Sequence, residues 1–183
     1  MERTKRADTE RTEQAILRAA ERVLADDPAA SMERIAAASG VARTTVHRRF
    51  ATRDALLDAL SVWAARQFAA AVDAVPDAAP PLVELHQATA NVLRVKLGWG
   101  FAMSRPTANA EVAAVHAHVL DRCVAMFGRA RDAGVLRADV EVDWARRVYY
   151  GLIHETADRR DDTADVDTLA ARIVDTLLHG IGT

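Results

Sequence analysis

Residues 43–48 bring two guanidiniums, two hydroxyls and an imidazole together as Arg43, Thr44, Thr45, His47 and Arg48. These groups donate and accept hydrogen bonds, and the arginines carry fixed charge. Their chemistry is recognition of phosphates and base edges, with Arg43 suited to the paired acceptors of guanine. If Ala42–Arg49 is a helix, Arg43, Thr44, His47 and Arg48 fall within an arc of about 140° at helical spacing. Ala42, Thr45 and Val46 then face the other way, with Val41 and Phe50 as apolar plugs at the two ends. A solvated surface helix carries the same residue types, so this face alone does not decide.

The elements around it must hold such a helix in place. Ser31 is set to cap a short helix through its hydroxyl, and Met32, Ile35 and Ala36 give that helix an apolar stripe. Gly40 stops it where a left-handed residue is wanted. Two helices joined by a Gly-containing turn form the helix-turn-helix pattern. A supporting helix is expected over Thr9–Asp26, with Ile16, Ala19, Ala20, Val23 and Leu24 as its buried stripe. Asp26-Asp27-Pro28 ends it, since proline disfavours helix in the residue before it. Residues 1–8, with Arg3, Lys5 and Arg6, read as a charged, disordered tail. Thr52 caps a fourth helix that runs to about Asp73, with Arg53 in its first turn, where a docked phosphate would meet both N–H groups and a guanidinium.

TxxQAILRAAxxxL from Thr12, SMxxIAAASGVARTTVxxxF from Ser31 and TRDALL from Thr52 resemble the N-terminal region of the TetR family of transcriptional repressors. GVLRAD at Gly134 is similar to a segment of the same family. The resemblance implies an all-α homodimer that binds palindromic double-stranded DNA and releases it when a small molecule enters the C-terminal domain. It also implies a phosphate-contacting role for Arg53, while the polar face on the helix-turn-helix itself points to DNA contacts from Arg43, Thr44, Thr45, His47 and Arg48, with Ser31 on a phosphate. Two positions depart from the family pattern. Asp26-Asp27-Pro28 stands where a glycine is usual, and His47 where an aromatic hydroxyl is usual.

Composition agrees with a helical chain. Half of the 183 residues are hydrophobic, and only 5% are aromatic. Alanine-rich, aromatic-poor chains favour helix over sheet. The formal net charge is −2, but residues 1–53 hold 11 Lys and Arg against 8 Asp and Glu, and the remainder 13 against 18. That distribution puts attraction for phosphate at the helix-turn-helix. No run of about 18 apolar residues suggests a membrane span, no apolar leader core is present, and a lone Cys123 fits a reducing compartment. A cytoplasmic location is expected.

Enzymatic chemistry finds little footing. His116 and His118, two apart on a helix, point about 200° apart and cannot share an ion. Ser61 and Ser104 lack a nucleophile-elbow context, and no glycine-rich phosphate loop exists. No metal, cofactor or catalytic residue is expected. The rival reading is a helical enzyme or small-molecule carrier with a coincidental N-terminal pattern.

The expected organisation is a helix-turn-helix DNA-binding domain over 1–53, continuing into helix four, and a helical ligand-binding and dimerisation domain over 54–183, about nine helices in all. The later helices fall at about Pro81–Leu97, around Phe101 and Met103, Thr107–Ala133, Val142–Asp158 and Val166–His179. Scattered polar and aromatic side chains suggest an apolar or aromatic ligand lined by Trp63, Gln67, His86, Thr89, Leu93, Trp99, Phe101, Met103, His116, Cys123, Phe127, Tyr150 and His154. The last two helices would make the dimer, through Gly151, Leu169, Ile173 and Leu177.

Overall fold

The computed structural model describes residues 2–76, 78–158 and 164–181, with side chains described between 8 and 179. Nine helices occur among them: α1 Glu2–Asp26, α2 Met32–Ser39, α3 Arg43–Arg49, α4 Arg53–Asp73, α5 Pro81–Gly98, α6 Gly100–Ser104, α7 Ala110–Asp132, α8 Val142–Asp158 and α9 Val166–Ile181. α1 begins at Glu2 and not at Thr9. ERTKRADTE contains Arg, Lys, Glu and Ala, all good helix formers, so the charged tail continues the helix. The side chains of Arg3, Lys5 and Arg6 lie outside the described residues.

Local chemistry sets the boundaries. Ser31 Oγ accepts the Arg34 N–H at 3.3 Å, and Gly40 takes φ +68° after α2, where a side chain would be strained. Thr52 Oγ1 accepts the Ala55 N–H at 3.1 Å to open α4. α7 starts at Ala110 rather than Thr107 because Asn109 Oδ1 accepts the Glu111 N–H at 2.9 Å. Gly134, at φ +72°, turns the chain out of α7.

The chain divides into two compact units, each with its own core. The first takes the chain through Ala65 together with Trp99–Val112; the second takes Arg66–Gly98 and the chain from Ala113 onward. The division falls inside α4, between Ala65 and Arg66. Leu56, Leu57, Leu60 and Ala64 of α4 pack with Ile16, Leu24, Ile35, Val46 and Phe50 in the first core, so three turns of α4 belong there. α4 is also long and apolar enough to cross a membrane by length and composition. Leu56, Leu57, Leu60 and Ala64 of it pack in the first core and Phe68, Ala69 and Val72 in or against the second.

The second core corrects the expected dimer contacts. Leu169, Ile173 and Leu177 are 3%, 2% and 1% exposed within a single chain, packed with Leu85, Leu93, Phe127, Tyr149 and Ile153. A side chain already buried in its own fold has no surface left for a partner. Gly151 is exposed on α8, and a Cβ added there would meet nothing within 4 Å in the same chain.

Candidate nucleic-acid interface and ligand cavity

α3 is fixed by Val46 and Phe50, both buried in the first core, which turns the opposite side of the helix outward. The cations on and around that side are mostly engaged. Arg43 Nη2 lies 2.7 Å from Glu33 Oε1 on α2, Arg49 pairs with Glu13 on α1, and Arg34 pairs with Asp27 at 2.6 Å. Arg48 is exposed and has no ion pair or hydrogen bond among the described residues. Thr44 is exposed beside it, and Thr45 is half-buried. His47 Nε2 is a buried atom without a hydrogen-bond partner among the described residues, 3.7 Å from the same Glu33 oxygen. That ring nitrogen is thus turned toward α2, away from an outward contact.

Glu33 is half-exposed and sits in the first turn of α2. A hydrogen bond from its own backbone N–H, the Ser31 hydroxyl and the Arg43 charge hold its carboxyl below the ordinary range. Ser31, expected on a phosphate, is exposed at the α2 N-cap. Arg53 is tied down differently from the sequence expectation. Its guanidinium donates to the carbonyl of Pro28 at 2.6 Å and to that of Ala30. It pins the start of α4 to the turn that launches α2.

A further polar anchor escapes sequence reasoning. Glu21 is 5% exposed, and its carboxylate accepts the N–H groups of Phe101 at 2.7 Å and Ala102 at 3.0 Å. Burial pushes this carboxyl above the ordinary range, partly opposed by the two amides. The clamp holds α6 in the first unit. Trp63 and Trp99 meet there with ring centroids 6.4 Å apart, and Phe101 and Met103 pack on the same core.

The second unit contains a narrow, partly open cleft whose free space is only about 20 Å³, room for about one water. Phe68, Val72, Met126, Tyr149 and Tyr150 form its walls, with Glu84, Arg122 and Cys123 as its polar groups. Of the thirteen residues expected to line a ligand site, Cys123 and Tyr150 do so. Trp63, Trp99, Phe101 and Met103 belong to the first unit instead. Leu93 and Phe127 are fully buried core, and the Thr89 hydroxyl is engaged with the Tyr149 hydroxyl at 3.0 Å. His116 is exposed, His154 is exposed beside Lys96 at 2.8 Å, and His86 lines a separate surface groove with Arg94 and Asp167. Gln67 is half-buried on α4 and does not line the cavity.

Sequence reasoning also misses Glu84, buried at 3% exposure and ion-paired with Arg129. It misses Tyr149 as well, whose hydroxyl burial pushes well above its usual range. Burial likewise raises the Cys123 thiol, which keeps it protonated at neutral pH. An isolated glutamate early in a helix gives no signal that it will face inward, whereas the adjacent tyrosines at 149 and 150 could have been weighed as a pair.

Comparison with known proteins bears on both sites. The family model for bacterial regulatory proteins of the tetR family matches residues 16–60, the span from α1 to the start of α4. The HTH-type transcriptional repressor LfrR of Mycolicibacterium smegmatis is 33% identical over 178 residues, covering 94% of this chain and 91% of LfrR. The crystal structure of LfrR from Mycobacterium smegmatis in complex with proflavine matches with a TM-score of 0.76 at 32% identity, over 94% of this chain and 98% of that one. PfmR of Thermus thermophilus, at 20% identity and a TM-score of 0.77, covers 92% of this chain and 99% of its own, and shares the fold.

Proposed function

The chain belongs to the tetR family of bacterial regulatory proteins and is a DNA-binding transcriptional regulator, and from that premise we propose a homodimeric repressor released from a palindromic operator by an aromatic ligand. The observation that carries the DNA half of the reading is the outward side of α3, where Arg48 has no partner among the described residues and Thr44 stands beside it. An unpaired guanidinium on a buried-backed helix meets a major groove without first breaking an ion pair.

Support for a ligand comes from the cavity of the second unit, whose walls are mostly apolar with a few placed polar groups. LfrR has been crystallised with proflavine, a planar aromatic; Phe68 and Tyr150 line this chain's cleft, which must widen to take a ligand of that size. α4 supplies Phe68 and Val72 to the cavity and begins at Arg53, which is pinned to the turn before α2. One continuous helix thus carries both groups, and a ligand that shifts it would shift the helix-turn-helix. For the dimer, the outer sides of α8 and α9 remain open. Trp144 is 53% exposed there, with Arg147 over its ring at 5.6 Å.

The deciding experiment is selection from a pool of duplexes with randomised centres, followed by titration of proflavine against the protein–duplex complex. Enrichment of a two-fold symmetric sequence, with release on adding the ligand, is the expected result. Enrichment of no sequence refutes the DNA reading, and binding indifferent to every aromatic tried refutes the switch.

A further inference from the structure

Glu33 contacts the α3 recognition surface without belonging to it. One oxygen, Oε1, lies 2.7 Å from Arg43 Nη2 and 3.7 Å from His47 Nε2. A single carboxylate on α2 therefore gathers the first and fifth residues of α3. It stands two positions from Ser31 at the exposed α2 N-cap, so phosphates docked at that cap would meet a negative charge close by. A carboxylate in such a place works against generic DNA affinity, and a solvated glutamate elsewhere on α2 would not.

We propose that Glu33 is a specificity-determining positioning residue that acts through Arg43. This rests on the reading that α3 meets duplex DNA. A guanidinium presents five N–H donors in a rigid planar fork. Arg43 can keep one edge on Glu33 while another edge donates to the two acceptors of guanine, which fixes the plane in which the arginine approaches the base. On an unmatched sequence the same arginine has only phosphates to gain. It must then exchange one anion for another while Glu33 repels the backbone. Glu33 thus weakens non-specific binding and leaves the matched complex intact, and the ratio between the two rises.

The test compares wild type and Glu33→Gln on two probes: the duplex enriched by the wild type from a randomised pool, and the unselected pool itself. The expected result is that Glu33→Gln binds the pool more tightly and with a log–log salt slope steeper by about 0.9, one added phosphate contact. Its preference for the enriched duplex falls several-fold. In an Arg43→Ala background the same substitution changes neither ratio nor slope. Thermal melting checks that the half-exposed position leaves the fold intact, and Glu33→Ala is expected to move the ratio in the same direction. An unchanged preference in both Glu33 variants overturns the proposal, as does a loss of preference that persists without Arg43. A wild type that enriches no duplex overturns the DNA reading itself, an outcome distinct from a wild type that enriches a sequence and a variant that matches it.

Discussion

The guanidinium of Arg53 donates to the carbonyl of Pro28 at 2.6 Å, across twenty-five positions of sequence. With its second bond, to Ala30, it fastens α4 to the turn that sets the entry of α2. A hydrogen bond to a charged group contributes about 1.5–3 kcal/mol, less where solvent reaches it.

Arg53→Ala is therefore expected to lower the melting temperature as well as DNA affinity, by about 1–2 kcal/mol of stability. Arg53→Lys should restore only part of this, because an ammonium cannot span both carbonyls as the fork does. A residue serving only as a phosphate contact would flatten the salt dependence and leave melting unchanged. Calorimetry and a salt titration on the same variant separate the two.

Glu21 gives a pH dependence with a definite sign. Its folded-state carboxyl lies above the ordinary value, so the stability it contributes is fully present below that value and is lost as pH rises through the raised one. The melting temperature of the wild type relative to Glu21→Gln is expected to rise as pH falls from neutral toward the ordinary carboxylate range. A relative fall over that window would mean that the α6 amides outweigh burial. Glu21→Ala strands two amide N–H groups of α6 and should cost about 1–3 kcal/mol at neutral pH.

Dimer and core predictions separate cleanly. Trp144→Glu is expected to give a folded monomer by analytical ultracentrifugation, with helical circular dichroism retained, since the ring is exposed in the single chain. Leu177→Asp buries an unpaired charge in the second core and should unfold the protein rather than merely dissociate it. A dimeric Trp144→Glu would place the interface elsewhere.

Phe68 lines the cavity from α4, which makes it the place to break coupling. Typical couplings of about 1–3 kcal/mol change affinity by roughly 5–150-fold, and the effect of duplex on ligand must equal that of ligand on duplex. Phe68→Ala is expected to weaken an aromatic ligand and to reduce the ratio of its affinities with and without duplex. A variant that binds the ligand less well but keeps the full ratio would show that α4 is not the route.

How much of this was legible depended on the range of the interaction. Ser31, Gly40 and Thr52 act on backbone groups within three residues, so their caps and the two-helix turn could be read from the chain. Glu21 with Phe101, Arg53 with Pro28 and Glu33 with Arg43 join segments ten to eighty positions apart, and no spacing announces them. The apolar stripe of α9 was legible as a stripe, but periodicity gives one face without its occupant. Leu169, Ile173 and Leu177 face their own α5 and α8. The cavity suffered similarly, because polar residues on apolar helices are read alike whether they point inward, like Glu84, or outward, like His116.

On the proposed reading α3 meets duplex DNA, with Arg48 as a cation unpaired among the described residues. The most direct test is equilibrium binding of wild type and Arg48→Ala to the enriched duplex over a series of salt concentrations. The wild type should show log affinity falling linearly with log salt, with a slope of about −0.9 per phosphate contact. Arg48→Ala should lose about 1–3 kcal/mol if it reads a base, or flatten the slope by about one contact if it meets a phosphate. Binding that ignores salt, or an Arg48→Ala protein that matches the wild type in affinity, slope and sequence preference, would contradict the account.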